Sequence, residues 1–157
     1  MRTLGQSQDG LYSLPKFPAQ NACHSTVTYG IFNRHNDGEA DLMEITISEF
    51  GERGTKVTLV GKLDIAGAEA VDLPLATVAG TRSNVVIDMV GVDFIASIGI
   101  RHLVMAAKAV ARGSNKLVLL DPSPVVTEVL ATAGLVDFLP IVRSEAEARA
   151  ALTGAAG

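Results

Sequence analysis

Few residues in this chain have the type and spacing to do chemistry, and most of them fail the geometry that a common reaction needs. Ser97 stands in the run Phe94-Ile95-Ala96-Ser97-Ile98-Gly99-Ile100. The G-x-S-x-G elbow of a serine hydrolase is missing, because the residue two before Ser97 is Ile95. His102 follows five residues later, on another face of the same expected helix, whereas a triad gathers its members from separate elements. It reads as a surface or half-buried histidine. Gly61-Lys62 lacks the hydroxyl residue and the leading glycine of a phosphate loop, and no GxGxxG fingerprint occurs. Cys23, His24 and His35 fit no zinc spacing. These absences argue against a kinase, a dehydrogenase, a hydrolase or a metal centre, and no cofactor is expected.

Ser97 is well placed to open a helix. As the N-cap, its hydroxyl could accept a bond from the orphan N–H of Gly99 or Ile100, which is a complete structural role. The functional alternative is phosphorylation. A helix start tolerates about two negative charges beside its exposed N–H groups, so the fold would survive while the surface changed sign and bulk. Asp64 is similarly open: it could cap a helix from Ile65 onward, or form part of the same surface. Arg101, Lys108 and Arg112 lie on the solvent side of the helix after Ser97. They read either as an ordinary exposed face or as a docking surface that begins at Ser97 and suits an acidic partner.

The elements that must position these residues are legible in the hydrophobic pattern. Met43, Ile45 and Ile47 alternate with polar neighbours, and Val57, Leu59 and Leu63 mark a second strand after the turn at Glu52-Arg53-Gly54. An antiparallel hairpin follows. A helix is expected over Ala66 to Val78, with Ala70, Leu73, Ala76 and Thr77 on its apolar face and Pro74 as a point of shortening or kinking. Val85-Val86-Ile87 reads as a short buried parallel strand, and Asp88 to Gly99 as the loop to the longest helix, Ile98 to Val110. Lys116 to Leu120, Val125 to Thr132, Phe138 to Val142 and Ser144 to Leu152 complete the alternation of strand and helix. The last has Ser144 and Glu147 as a capping box. Residues 1–43 keep no period and are expected to be an irregular, partly disordered extension; 44–152 form one domain, and 153–157 fray.

Composition agrees with one α/β domain. The 157 residues are 48% hydrophobic and only 4% aromatic, so Val, Leu, Ile and Ala must fill the core. A net charge of −4, from 13 basic and 17 acidic residues, disfavours nonspecific nucleic-acid binding. One cysteine cannot staple the fold, which suits a reducing, cytoplasmic setting. Neither a secretory signal nor a stretch of ~20 uninterrupted apolar residues is visible, so membrane insertion is not expected.

The segment Val57 to Leu63 followed by Asp64, the strand Val85-Val86-Ile87-Asp88 and the run Phe94 to Ile100 before a long helix resemble the STAS domain, specifically the bacterial anti-sigma factor antagonists. The resemblance implies a mixed β-sheet with an N-terminal hairpin and about four helices. It implies a regulator, not an enzyme, that binds an anti-sigma factor serine/threonine kinase. That kinase would phosphorylate Ser97, breaking the complex, and a protein phosphatase would restore it. The implied partner surface comprises Asp64, Phe94, Ile95, Ala96, Ser97, Ile98, Gly99 and Arg101. The family loop often reads Asp-Ser-Ser-Gly or Asp-Ser-Thr-Gly, whereas this chain has Ala96-Ser97-Ile98-Gly99, leaving Ser97 as the one acceptor. Other readings of the same domain are a scaffold or transport-complex subunit whose serine is never modified, and a module that binds a small ligand.

Overall fold

The computed structural model describes residues 27–31, 43–52, 54–81 and 84–153. Alternation builds the first part of the sheet as expected. Strands β2 (Met43–Phe50) and β3 (Gly54–Leu63) pair antiparallel, with Ile45 opposite Leu59 and Ile47 opposite Val57. All four of these side chains are buried, because a period of two sends them to one face. Gly51 supplies the left-handed backbone of the turn at φ 67°.

Strand β1 (Val27–Ile31) adds to the outer edge of this hairpin, antiparallel to β2. The irregular extension read from the sequence therefore contains a strand. Its five residues, with Gly30 near the end, are too few for alternation to stand out. The rest of the extension and the tail from 154 onward lie outside the described residues.

Beyond β3 the chain alternates helix and strand: α1 (Ile65–Thr81), β4 (Asn84–Ile95), α2 (Ser97–Arg112), β5 (Leu117–Leu120), α3 (Pro124–Thr132), β6 (Ile141–Val142) and α4 (Glu145–Thr153). Among the described residues six strands lie in sequence order, antiparallel from β1 to β3 and parallel from β3 to β6. This is the mixed sheet with four helices that the pattern implied. Helices α1, α2 and α3 share one core with Ile45, Leu59, Ile87 and Leu119. Helix α4 packs on the opposite face, where Phe50, Val86, Val118 and Leu120 meet Ala148. Strand β5 is buried on both sides because alternate residues serve the two layers.

The expected strand Phe138 to Val142 is reduced to β6, with Phe138 exposed in the turn before it, and two further details depart from the sequence reading. Helix α1 runs through Pro74 and extends to Thr81, and Leu73 and Ala76 are exposed; its buried stripe includes Ala68, Val71, Leu75 and Val78. The helix is apolar nearly all round, so its phase could not be read from hydrophobicity. Strand β4 is the larger difference. It continues to Ile95 through most of the expected loop, with Met89, Val92 and Ile95 buried at every third position. Its register against β3 slips between Thr58 and Val60 and again between Gly61 and Lys62. Those irregularities interrupt the period of two, and Gly61, at φ 129°, adopts a backbone that other residues resist.

A polar clamp holds α4. The Lys56 ammonium lies 3.1 Å from Asp88 and 2.7 Å from Glu145. Asp88 is nearly buried and also accepts the N–H of Val90 at 3.1 Å. Burial pulls the Lys56 pKa down, but its hydrogen bonds to Glu145 and Asp88 outweigh this and leave it raised. The hydrogen bond from Lys56, with its charge, holds Glu145 below the usual carboxylate range. Stability from Glu145 is thus present above that range and lost as pH falls through the lowered value. Lys56→Met should lower urea stability by about 1–3 kcal/mol, since it strands a buried carboxylate. Glu145→Gln should flatten the acid limb of the pH–stability curve; an unchanged limb would show that the clamp contributes nothing.

Candidate functional site

The site lies where two parallel strands end together. Leu63 at the end of β3 is in register with Ile95 at the end of β4, and the N–H of Ala96 donates to the carbonyl of Leu63 at 2.9 Å. Each strand then turns directly into a helix. Asp64 precedes α1 and Ala96 precedes α2, so the two helices start side by side at the carboxyl edge of the sheet. In open α/β sheets this edge is the usual place for recognition.

The two starts are built differently. Asp64 caps α1: its Oδ1 accepts the N–H of Gly67 at 2.9 Å, and its carbonyl begins the helix by accepting from Ala68 at 2.8 Å. The capping alternative for Asp64 is the observed one, and its half-buried position keeps it at the rim of the site. Helix α2 is capped by no side chain. Its N-cap is Ala96, with extended backbone at φ −96° and ψ 167°, and a methyl group accepts no hydrogen bond. Ser97, expected as the cap, is instead the first helical residue, one position too late for its hydroxyl to bond the first-turn N–H groups. The shift follows from β4, which runs on to Ile95 and leaves one residue for the turn.

Gly99 explains how the helices fit so closely. A Cβ added there would lie 2.9 Å from the Leu63 carbonyl oxygen and 3.1 Å from the Leu63 Cβ. Backbone of α2 therefore rests on the end of β3 with no room for a side chain. Gly67 plays the same part for α1, against the carbonyl of Lys62.

The expected site residues divide by exposure. Ser97, Phe94 and Arg101 are exposed, with Phe94 at 46%, while Ala96 and Ile98 are half-buried. Ile95 and Gly99 are buried and shape the surface from beneath. Ile65, the residue after Asp64, is 67% exposed and stands at the head of the neighbouring helix, two residues beyond the same paired register. Sequence reading counted it only as a helical residue. Its signal was a large apolar side chain at the first position of a helix, where no core contact is in reach. His102 is half-buried and turns away to meet Asp72 of α1, Nδ1 to Oδ1 2.9 Å, tying the two helices together.

Ser97 and its neighbours therefore present an exposed surface of mixed character, with a hydroxyl, an aromatic ring, an aliphatic side chain and a cation. A cleft of about 420 Å³ occurs at the other end of the sheet, between Phe50, Asn84, Arg149 and Leu152, and contains none of these residues. No helix among the described residues is long and apolar enough to cross a membrane.

Comparison with known proteins agrees with this architecture. The STAS domain model matches residues 46–148, and the chain belongs to that family. BtrV of Bordetella bronchiseptica, assigned as an anti-sigma factor antagonist, is 33% identical over 94 residues, covering 59% of this chain and 81% of BtrV. Among solved structures, the unphosphorylated anti-sigma factor antagonist SpoIIAA superposes with a TM-score of 0.60 at 20% identity, over 70% of this chain and 96% of that one. The phosphorylated form of SpoIIAA, a Bacillus cell-fate determinant, gives 0.55 at 18% identity, over 67% and 96%. An anti-sigma factor antagonist from Mycobacterium paratuberculosis gives 0.59 at 18% identity, over 81% and 95%. The fold is thus that of the anti-sigma factor antagonists.

Two substitutions test the helix starts. Ala96→Asp restores an acceptor at the N-cap and should raise stability by about 1 kcal/mol. Gly99→Ala should lower it by about 1–3 kcal/mol, although alanine is the better helix former, because its Cβ meets backbone. Thermal melts of both variants check the pair, and a stabilised Gly99→Ala protein would refute the close contact at Leu63.

Proposed function

We propose that this chain is an anti-sigma factor antagonist, a regulator that works by binding and not by catalysis, and that phosphorylation of Ser97 switches it off. The observation that carries the reading is an exposed serine on the first turn of α2, beside exposed Phe94, Ile65 and Arg101. The partner is an anti-sigma factor that is itself a serine/threonine kinase, and a protein phosphatase reverses the modification. Supporting this, a relative at 33% identity is assigned as an anti-sigma factor antagonist, and SpoIIAA of the same fold has a phosphorylated form.

The physics favours a switch that acts on docking and spares folding. Ala96 leaves the first-turn N–H groups of α2 without a side-chain acceptor, so a phosphate on Ser97 finds donors and the positive end of the helix dipole beside it. The same dianion adds bulk and charge at the centre of the surface a partner must cover. Burying it uncompensated is far more costly than presenting it to water. Asp64, Phe94, Ala96, Ile98 and Arg101 belong to that surface, with Ile95 and Gly99 holding its shape. A reducing cytoplasm is the matching location.

Ser97→Asp should keep the domain folded, with a melting temperature equal to or slightly above that of the wild type. It should weaken binding to the cognate anti-sigma factor by about 10-fold or more, a loss of roughly 1.4 kcal/mol or greater. Ser97→Ala should bind as the wild type does and accept no phosphate. Calorimetric titration checks both, and equal affinity of the two variants would refute the switch.

A further inference from the structure

The helix that opens with Ser97 carries a charge pattern unlike that of the other helices. Helix α2 contains Arg101, Lys108 and Arg112 and no Asp or Glu, although the chain as a whole has a net charge of −4. Gly99, Leu103, Ala106, Ala107 and Val110 form its buried side. On the opposite side Ser97, Arg101, Met105, Lys108 and Arg112 are all exposed, Met105 at 52%. At 3.6 residues per turn these five positions fall within an arc of roughly 80° and span about 22 Å along the axis. They form one straight stripe with the serine at its head. None of the three cations makes an ion pair with a described residue; Asp72, the acid that reaches α2 from α1, is joined to His102 and not to the stripe.

Three cations with no ion pair among the described residues, set around a large exposed methionine, suit a partner of matching pattern. We propose that this stripe is a docking surface for an acidic amphipathic segment of the anti-sigma factor, with acids facing Arg101, Lys108 and Arg112 and an apolar residue facing Met105. The proposal rests on the reading of Ser97 as the switch and extends it from a point to a line. Complementary charge speeds encounter and rejects wrong partners more than it deepens affinity. It also gives the phosphate a longer reach. A dianion at the head of a stripe of three cations leaves a net of about one positive charge there, and it stands one turn from Arg101, at the spacing where side chains on a helix interact. Modification of one residue would thereby weaken attraction for an acidic partner along the whole stripe.

The test uses defined probes and the full chain. Two synthetic helical peptides of the same length, one of Glu and Leu and the other with Lys for Glu, are titrated into isotope-labelled protein and followed by amide chemical shifts. The acidic peptide should shift Arg101, Met105, Lys108 and Arg112 and bind several-fold more weakly in high salt. K108E/R112E should abolish its binding with the circular dichroism spectrum unchanged, and Ser97→Asp should weaken it several-fold. Equal binding of the basic peptide, shifts confined to other elements, indifference to salt, or full binding by either variant would overturn the proposal. A switch that fails while the stripe binds would show as normal peptide titrations in a protein whose Ser97 is never phosphorylated. A stripe that fails while the switch holds would show as a phosphorylated Ser97 and no peptide binding.

Discussion

One close approach, that of α2 to the end of β3, governs the rest of the structure. The Ala96 N–H bonds the Leu63 carbonyl, and Gly99 lays helix backbone on the same oxygen with no side chain between. That contact fixes where β4 stops and how α2 leaves the sheet. With Ile95 and Gly99 turned into the core, Ser97 has one direction left, which is outward. Exposure of the hydroxyl is thus a consequence of packing two residues to either side of it. A substituent on Ser97 meets water, whereas one on Gly99 meets backbone.

The same geometry separates the work of the two helix starts. Asp64 spends its carboxylate on Gly67 and closes α1. Ala96 leaves α2 open. In the loop pattern that this one resembles, an acid stands at the position of Ala96, which is the N-cap of α2 and a position that favours carboxylates. Its absence here removes a carboxylate that would have repelled a neighbouring phosphate. The departure from the common motif therefore changes the electrostatic setting of Ser97 without removing its exposure. On the other face of the sheet, the Lys56, Asp88 and Glu145 clamp joins α4 to β3 and β4 beside a second apolar cluster.

Much of this was legible in the sequence, for identifiable reasons. Met43, Ile45, Ile47, Val57 and Leu59 alternate cleanly because their strands are buried on one face, and the long helix after Ser97 shows its face because its exposed side is charged. The resemblance carried by Phe94 to Ile100 led to the family. What remained hidden was set by tertiary contact. Strand β4 extends through the expected loop because its irregular pairing with β3 spaces the buried residues by three, a period that signals neither strand nor helix. Residues Val27–Ile31 become a strand only by lying against β2. Ser97 stands one position inside the helix because β4 runs to Ile95, and no local preference could place that boundary. Ile65 escaped notice because an apolar residue near a helix start is ordinary until its exposure is seen.

The central claim is that Ser97 presents its hydroxyl to a kinase that also binds the surrounding surface. Mass spectrometry of the protein isolated from its native cells tests it most directly. The account predicts a fraction of molecules heavier by about 80 Da, with the added mass on the peptide containing Ser97 and removable by phosphatase. Phosphate located on another residue, or none on that peptide in cells where the anti-sigma kinase is active, would contradict it.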